Sequence, residues 1–224
     1  MKLCDYNAAM LADMLKKKEI SAREIAGDVI KRIAEKEADI NAFITILDED
    51  KILAQADEAD RRISSNADVG PLNGIPIAIK DNICTKDILT TCASKMLNNY
   101  IPPYNATAVE LLSKGGAVFI GKTNMDEFDM GASSETSADG MTFNPANTEY
   151  LAGGSSSGSA ASVAAWGEAW HACLADAERL AEGRQGRPRR HRHQARPSSP
   201  RPQSHRRSAR APAPPPAVRA ASAS

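Results

Sequence analysis

The sequence has no CxxC pair and no cysteine–histidine cluster at metal-binding spacing. Its four cysteines, Cys4, Cys84, Cys92 and Cys173, stand singly, which excludes a zinc motif or a dithiol redox motif. No apolar run approaches the ~20 residues that a membrane-crossing helix needs. The opening stretch MKLCDYNAAM lacks the apolar core of a secretory leader. These absences predict reduced thiols and a cytoplasmic protein. Net charge is lacking too: 28 basic residues balance 28 acidic ones.

That balance averages two unlike segments. Residues 1–165 carry 24 acidic and 16 basic residues, a net charge of −8. Residues 166–224 carry 12 arginines and 4 acids, a net charge of +8. The second segment has no Ile, Phe, Tyr, Asn, Thr, Lys or Met, while all four histidines and both tryptophans lie in it. Such asymmetry marks segments that differ in kind. From Gly183 onward the chain is low-complexity Arg, Pro, Ala and Ser. It offers too few apolar side chains to offset chain entropy and is expected to be disordered. The expected division is therefore 1–165, an ordered unit, and 166–224, an unrelated tail. The tail's codons are GC-rich in type, as in a gene read out of frame from about codon 166.

Within 1–165 the first third reads as helix. NAAMLADMLKKKE puts Met10, Leu11, Met14 and Leu15 on one stripe. SAREIAGDVIKRIAEKE opens with Ser21 and, three residues on, Glu24, the pattern of a capping box. Ile25, Val29, Ile30 and Ile33 form its apolar face. EDKILAQADEADRRI is a third, more polar helix. The pattern then changes. NGIPIAIKDN (73–82) reads as a short strand. NATAVELLSKGGAVFIG reads as a helix capped by Asn105, stopped at Gly115–Gly116 and followed by a strand. Strand–helix–strand alternation predicts an α/β fold. The polar loop GKTNMDEFDMGASSE (121–135) follows that strand's carboxyl end, where ligands gather in such sheets.

Two features carry chemistry. Lys80 ends the apolar strand. A strand-end lysine is ordinarily solvated. Withdrawn from water, its charged form is disfavoured and the amine becomes able to accept a proton. The turn GGSSSGS (153–159) leads into an alanine-rich helix. Read locally it is an N-cap turn. It also offers backbone N–H groups to an anion, although the lysine of a phosphate loop is missing. A third reading makes one serine a proton relay between a lysine and a nucleophile, with glycines permitting close packing.

Taken together and in order, GIPIAIKDNICTKDILTTCASKML, GKTNMDEFDMG and GGSSSGSAASVAA resemble the amidase signature family. TTCASKML, NNYIPPYNATAVELL and IGKTNMDEF point within it to the glutaminase subunits of tRNA-dependent amidotransferases. The resemblance covers residues 1–165, the N-terminal part of a longer fold: a mixed β-sheet core surrounded by helices, incomplete here. It implies a Ser–cis-Ser–Lys triad in which Lys80 is the lysine and Ser155 the cis-serine. The lysine takes a proton, through that serine, from a nucleophilic serine that attacks glutamine's side-chain amide. It implies no cofactor in this chain. The implied partners are subunits B and C, which use ATP and the released ammonia to convert Glu-tRNA(Gln) to Gln-tRNA(Gln).

The pattern then breaks. A nucleophile segment similar to SDTGGSIR is due about two dozen residues beyond the cis-serine. Arg179 stands there, within ADAERLAEG, and no Gly-Gly-Ser follows the turn. The oxyanion donors of that segment go with it. The chain is therefore expected to be inactive alone. Ser157 replaces a glycine of the family's turn, and Asp129 stands where a small apolar residue is usual. Two rivals remain: a fragment of a stand-alone amidase, and a chain whose Arg-rich tail binds nucleic acid through phosphates. The tail's lack of interleaved aromatics tells against the second.

Overall fold

The structure is a computed structural model that describes residues 3–65 and 69–166. The tail beyond Trp166, including Cys173 and Arg179, lies outside the described residues.

Three helices lead the chain. α1 (Ala8–Lys16) is N-capped by Asn7, whose side chain accepts from Met10 N. Leu11 and Leu15 are its buried face. Met10 was expected on that stripe but is 47% exposed, because only one turn-spaced pair reaches the core. α2 (Ala22–Ile40) has the expected capping box between Ser21 and Glu24. Ile25, Val29 and Ile33 are buried on it, and Ile30 lies at the margin. α3 (Glu49–Ser64) buries Ile52, Ala56 and Ala59.

Between α2 and α3 runs β1 (Phe43–Ile46), a strand with no counterpart in the sequence reading. It pairs antiparallel with β3 (Val118–Thr123), which in turn pairs parallel with β2 (Pro76–Lys80). The sheet order is β1-β3-β2, a small mixed sheet. α4 (Thr107–Lys114) lies in the crossover between β2 and β3. Its N-cap is Ala106, not Asn105. The Asn105 carboxamide oxygen instead accepts from Lys86 N at 2.7 Å, tying down the loop after β2. α5 (Ser157–Trp166) closes the described part.

The strand pleat separates two cores. One face of the sheet carries Ala78, Val118 and Ile120 against α1, α2, α3 and α5. The other carries Ile77 and Ile79 against Val109 and Leu112 of α4. The β2–β3 register shifts by one residue between Ile77 and Ala78. Thereafter Ile79 faces Lys122 and Lys80 faces Thr123.

Glu37, in the last turn of α2, pins the start of β1. Its Oε1 accepts from Phe43 N at 2.7 Å, while Oε2 is buried without a partner. Burial pushes this carboxyl up to about 7, against the pull of the Phe43 and Ala42 N–H groups. The folded chain therefore binds a proton here that the unfolded chain has released. Stability from this group is full below its ordinary value of 4.5 and is lost as pH rises toward 7. Glu37→Gln should remove about 1–3 kcal/mol of that pH dependence, after discounting for partial exposure. Denaturant unfolding of both chains at pH 5 and pH 8 checks this; parallel pH profiles would refute it.

Candidate active site at Lys80

Lys80 ends β2 with no exposed surface. β3 flanks it on one side, and the register places it opposite Thr123, whose hydroxyl hydrogen-bonds Ser159 of α5 at 2.8 Å. Lys80 thus points to the side where the glycine–serine turn enters α5. Its Nζ donates to Ser156 Oγ at 2.6 Å, to Ser155 Oγ at 3.2 Å and to Asp129 Oδ1 at 2.5 Å. Asn82 Nδ2 donates to the other oxygen of Asp129 at 3.3 Å.

The turn is held by backbone as much as by hydroxyls. The Gly154–Ser155 peptide bond is cis. Ser155 O accepts from Asp126 N at 3.0 Å. Gly154 lies so close to the Asp126 carboxylate that an added Cβ would sit 1.9 Å from Oδ2, so no larger residue fits. Ser156 O accepts from Ala160 N in the first turn of α5, while its hydroxyl meets Lys80. Ser157 is buried and its hydroxyl has no hydrogen-bond partner.

Asp129 sits in the loop after β3, where the short 3-10 turn Glu127–Asp129 puts Phe128 and Asp129 at φ +49° and +68°. Desolvation pushes its carboxyl up. Hydrogen bonds from Lys80 and Ser155, with the lysine's charge, outweigh this and hold it below the ordinary carboxylate range.

A second buried lysine lies across the sheet. Lys122 Nζ donates to Ile83 O at 2.7 Å and to Thr90 Oγ1 at 2.8 Å, with Asp81 Oδ1 at 3.6 Å. The other oxygen of Asp81 accepts from Thr91 N and Thr91 Oγ1, at 2.8 and 2.6 Å. Burial pulls Lys122 down from its ordinary value, and the Asp81 charge resists. This cluster fixes the start of the loop after β2 and so the base from which Lys80 projects.

Lys80 and Ser155, 75 residues apart in sequence, are therefore brought within hydrogen-bond distance. The sequence reading missed Ser156 and Asn82, and it had no contact for Asp129. Ser156 shares the turn with Ser155, so only geometry separates the two. A concavity of about 570 Å3 lies elsewhere, lined by Glu37, Asn41, Phe43 and Asp139 among others, and includes neither Lys80 nor Ser155. Among the described residues no cluster of His, Cys, Asp and Glu suits a metal ion. Cys4, Cys84 and Cys92 are free thiols there, with Cys4 pushed up to about 12 mainly by burial. No described helix is long and apolar enough to cross a membrane.

Comparison with known proteins adds relatives. The profile of the Amidase family matches residues 24–169. The A subunit of glutamyl-tRNA(Gln) amidotransferase from Lachnospira eligens is 53% identical over 165 residues, 74% of this chain and 34% of that protein. Its counterpart from Geobacter metallireducens is 52% identical over 165 residues, again 74% of this chain and 34% of the relative. The chain thus spans about a third of the length of the curated relatives it matches. Among solved structures, the peptide amidase of Stenotrophomonas maltophilia superposes with a TM-score of 0.65 at 32% identity, over 70% of this chain and 33% of that one. The glutamyl-tRNA(Gln) amidotransferase A subunit from Thermotoga maritima superposes with a TM-score of 0.52 at 37% identity, over 62% and 28%.

Proposed function

Because this chain belongs to the amidase family, we propose that residues 3–166 are the proton-relay part of a glutamine-hydrolysing component of a tRNA-dependent amidotransferase. One observation carries the reading: a fully buried lysine amine within hydrogen-bond distance of the Ser155 and Ser156 hydroxyls. In its neutral form such an amine accepts a proton from Ser155, which in turn takes one from a nucleophilic hydroxyl. The attacked amide is that of glutamine, and ammonia leaves. Subunits B and C would use ATP and that ammonia on Glu-tRNA(Gln). Among the superposed structures, identity is 37% to the Thermotoga maritima amidotransferase A subunit against 32% to the peptide amidase, and the curated sequence relatives at about 50% identity are amidotransferase A subunits, which favours this over a stand-alone amidase.

The relay has no nucleophile to serve in the sequence after the turn, where Arg179 takes the expected position. The chain alone should therefore release no ammonia from glutamine. Residues 1–165 carrying Asp129→Asn, which removes the carboxylate beside Lys80, and joined to the downstream part of the Lachnospira eligens relative, should release it. Lys80→Ala in that chimera should lower the rate on the order of 10²–10⁴-fold. A folded chimera that is equally active with and without Lys80 would sink the relay reading. Ammonia release by the unmodified chain would sink the absence of a nucleophile.

A further inference from the structure

We propose that Asp129 is a positioning residue that locks Lys80 in an ion pair and withholds it from the Ser155 relay; the consequence for catalysis rests on the relay reading above. Three side-chain acceptors stand around Lys80 Nζ, and the Asp129 carboxylate is the shortest contact, 2.5 Å against 2.6 Å for Ser156 and 3.2 Å for Ser155. An ammonium has three N–H donors and no acceptor, so it can donate to each of these oxygens. A neutral amine has two N–H groups and one lone pair. Accepting a proton from Ser155 requires that lone pair to point at the hydroxyl. A carboxylate at hydrogen-bond distance demands the opposite, an N–H toward itself.

The carboxylate is held in place from several directions. Asn82 grips its second oxygen, and the backbone of Asp129 is in the left-handed region, which aspartate tolerates better than most residues. Its side chain is 37% exposed while that of Lys80 is sealed. Asp129 is therefore the solvent-facing end of the pair.

The neighbouring charges among the described residues have contacts of their own. Asp81 and Lys122 pair with each other on the opposite face of the sheet. Asp126, under the turn, receives the Thr136 hydroxyl on Oδ1 at 2.8 Å. Glu127 accepts from Ser94 at 2.6 Å. α5 contributes no charged residue among those described.

The test is lysine side-chain NMR of the full chain at one fixed pH, following exchange of the Nζ hydrogens with solvent through the 15Nζ signals. Loss of one signal in Lys80→Arg assigns Lys80. Asp129→Asn, which keeps the shape and removes the charge, should speed exchange of the Lys80 Nζ hydrogens by ~10-fold or more, because a charge-assisted hydrogen bond no longer holds them. Asp129→Ala should do the same, and Asp129→Glu should restore slow exchange. The remaining lysine signals report whether each variant is folded, and either neutral variant suffices. An exchange rate within about twofold of the parent's in a folded neutral variant overturns the lock. The measurement needs no substrate, so it stands or falls separately from ammonia release by the chimera.

Discussion

Replacing Lys122 by alanine is expected to lower the free energy of unfolding by about 3–5 kcal/mol. Lys122 and Asp81 are both buried, at 1% and 0% exposure. The lysine satisfies Ile83 O and Thr90 Oγ1 and faces an Asp81 oxygen that has no hydrogen-bond partner. Its removal leaves a carboxylate charge in the interior with no cation opposite, and takes one donor each from Ile83 O, which keeps Thr85 Oγ1, and from Thr90 Oγ1, which keeps its bond to Ile88 O. Unpaired buried charge, more than the lost attraction, sets the magnitude. Two further variants separate these terms. Lys122→Met keeps most of the volume and should still lose most of the stability. Adding Asp81→Asn to Lys122→Ala should recover part of the loss, because the uncompensated charge goes. Denaturant midpoints and slopes of all three decide the matter. A loss below about 1 kcal/mol in the single variant would mean that water reaches the pair.

Gly158→Ala should cost about 3 kcal/mol or more, against the ordinary preference of a helix for alanine. The new Cβ would lie 2.1 Å from Ala42 O, 2.4 Å from Asn124 N and 2.8 Å from Asn124 O. All three are backbone atoms, so no side chain can swing aside. α5 would have to lift away from the junction of β1 and β3, carrying Ser155 and Ser156 with it. Gly27 supplies the control. It is exposed on α2 with nothing within 4 Å of an added Cβ. Gly27→Ala should stabilise by roughly 0.5–1 kcal/mol. Thermal melts of the two variants should therefore shift in opposite directions. A shift of the same sign would mean that the approach at Gly158 is looser than the geometry states.

The helices and the two parallel strands were legible because their signals are local. The capping box of Ser21 and Glu24 involves two residues three apart, and the structure contains it. Apolar spacing placed Ile25, Val29 and Ile33 inward. β1 was not legible. Phe43–Ile46 has only four residues, and only the first is fully buried, so no alternation marks it. What makes it a strand is β3, some 80 residues later. Asn105 failed as a cap for a related reason: a donor 19 residues earlier, Lys86 N, has its side chain.

At the candidate site, the resemblance to the amidase signature family singled out Lys80 and Ser155, but not the depth of the lysine. The sequence shows a strand end, which is ordinarily wet. Burial comes from the 121–135 loop and the serine turn folding over it, contacts 49 and 75 residues away. Asp129 was marked only as a departure from the small apolar residue usual at that place in the family. Its aim at Lys80 depends on two consecutive left-handed residues, Phe128 and Asp129, that no short pattern announces.

The one-residue slip in the β2–β3 pairing has an electrostatic meaning. Before it, Pro76 faces Val118 and Ile77 faces Phe119. Continued without interruption, that register would set Lys80 directly beside Lys122, two cations on one face, a pairing that costs stability. The extra residue in β3 turns the pleat over once, so each lysine points to its own side of the sheet and finds its own carboxylate, Asp129 for one and Asp81 for the other. A single residue of β3 without a partner in β2, Ile120, thus acts as a charge sorter. Deleting it would force two like charges into one dry compartment.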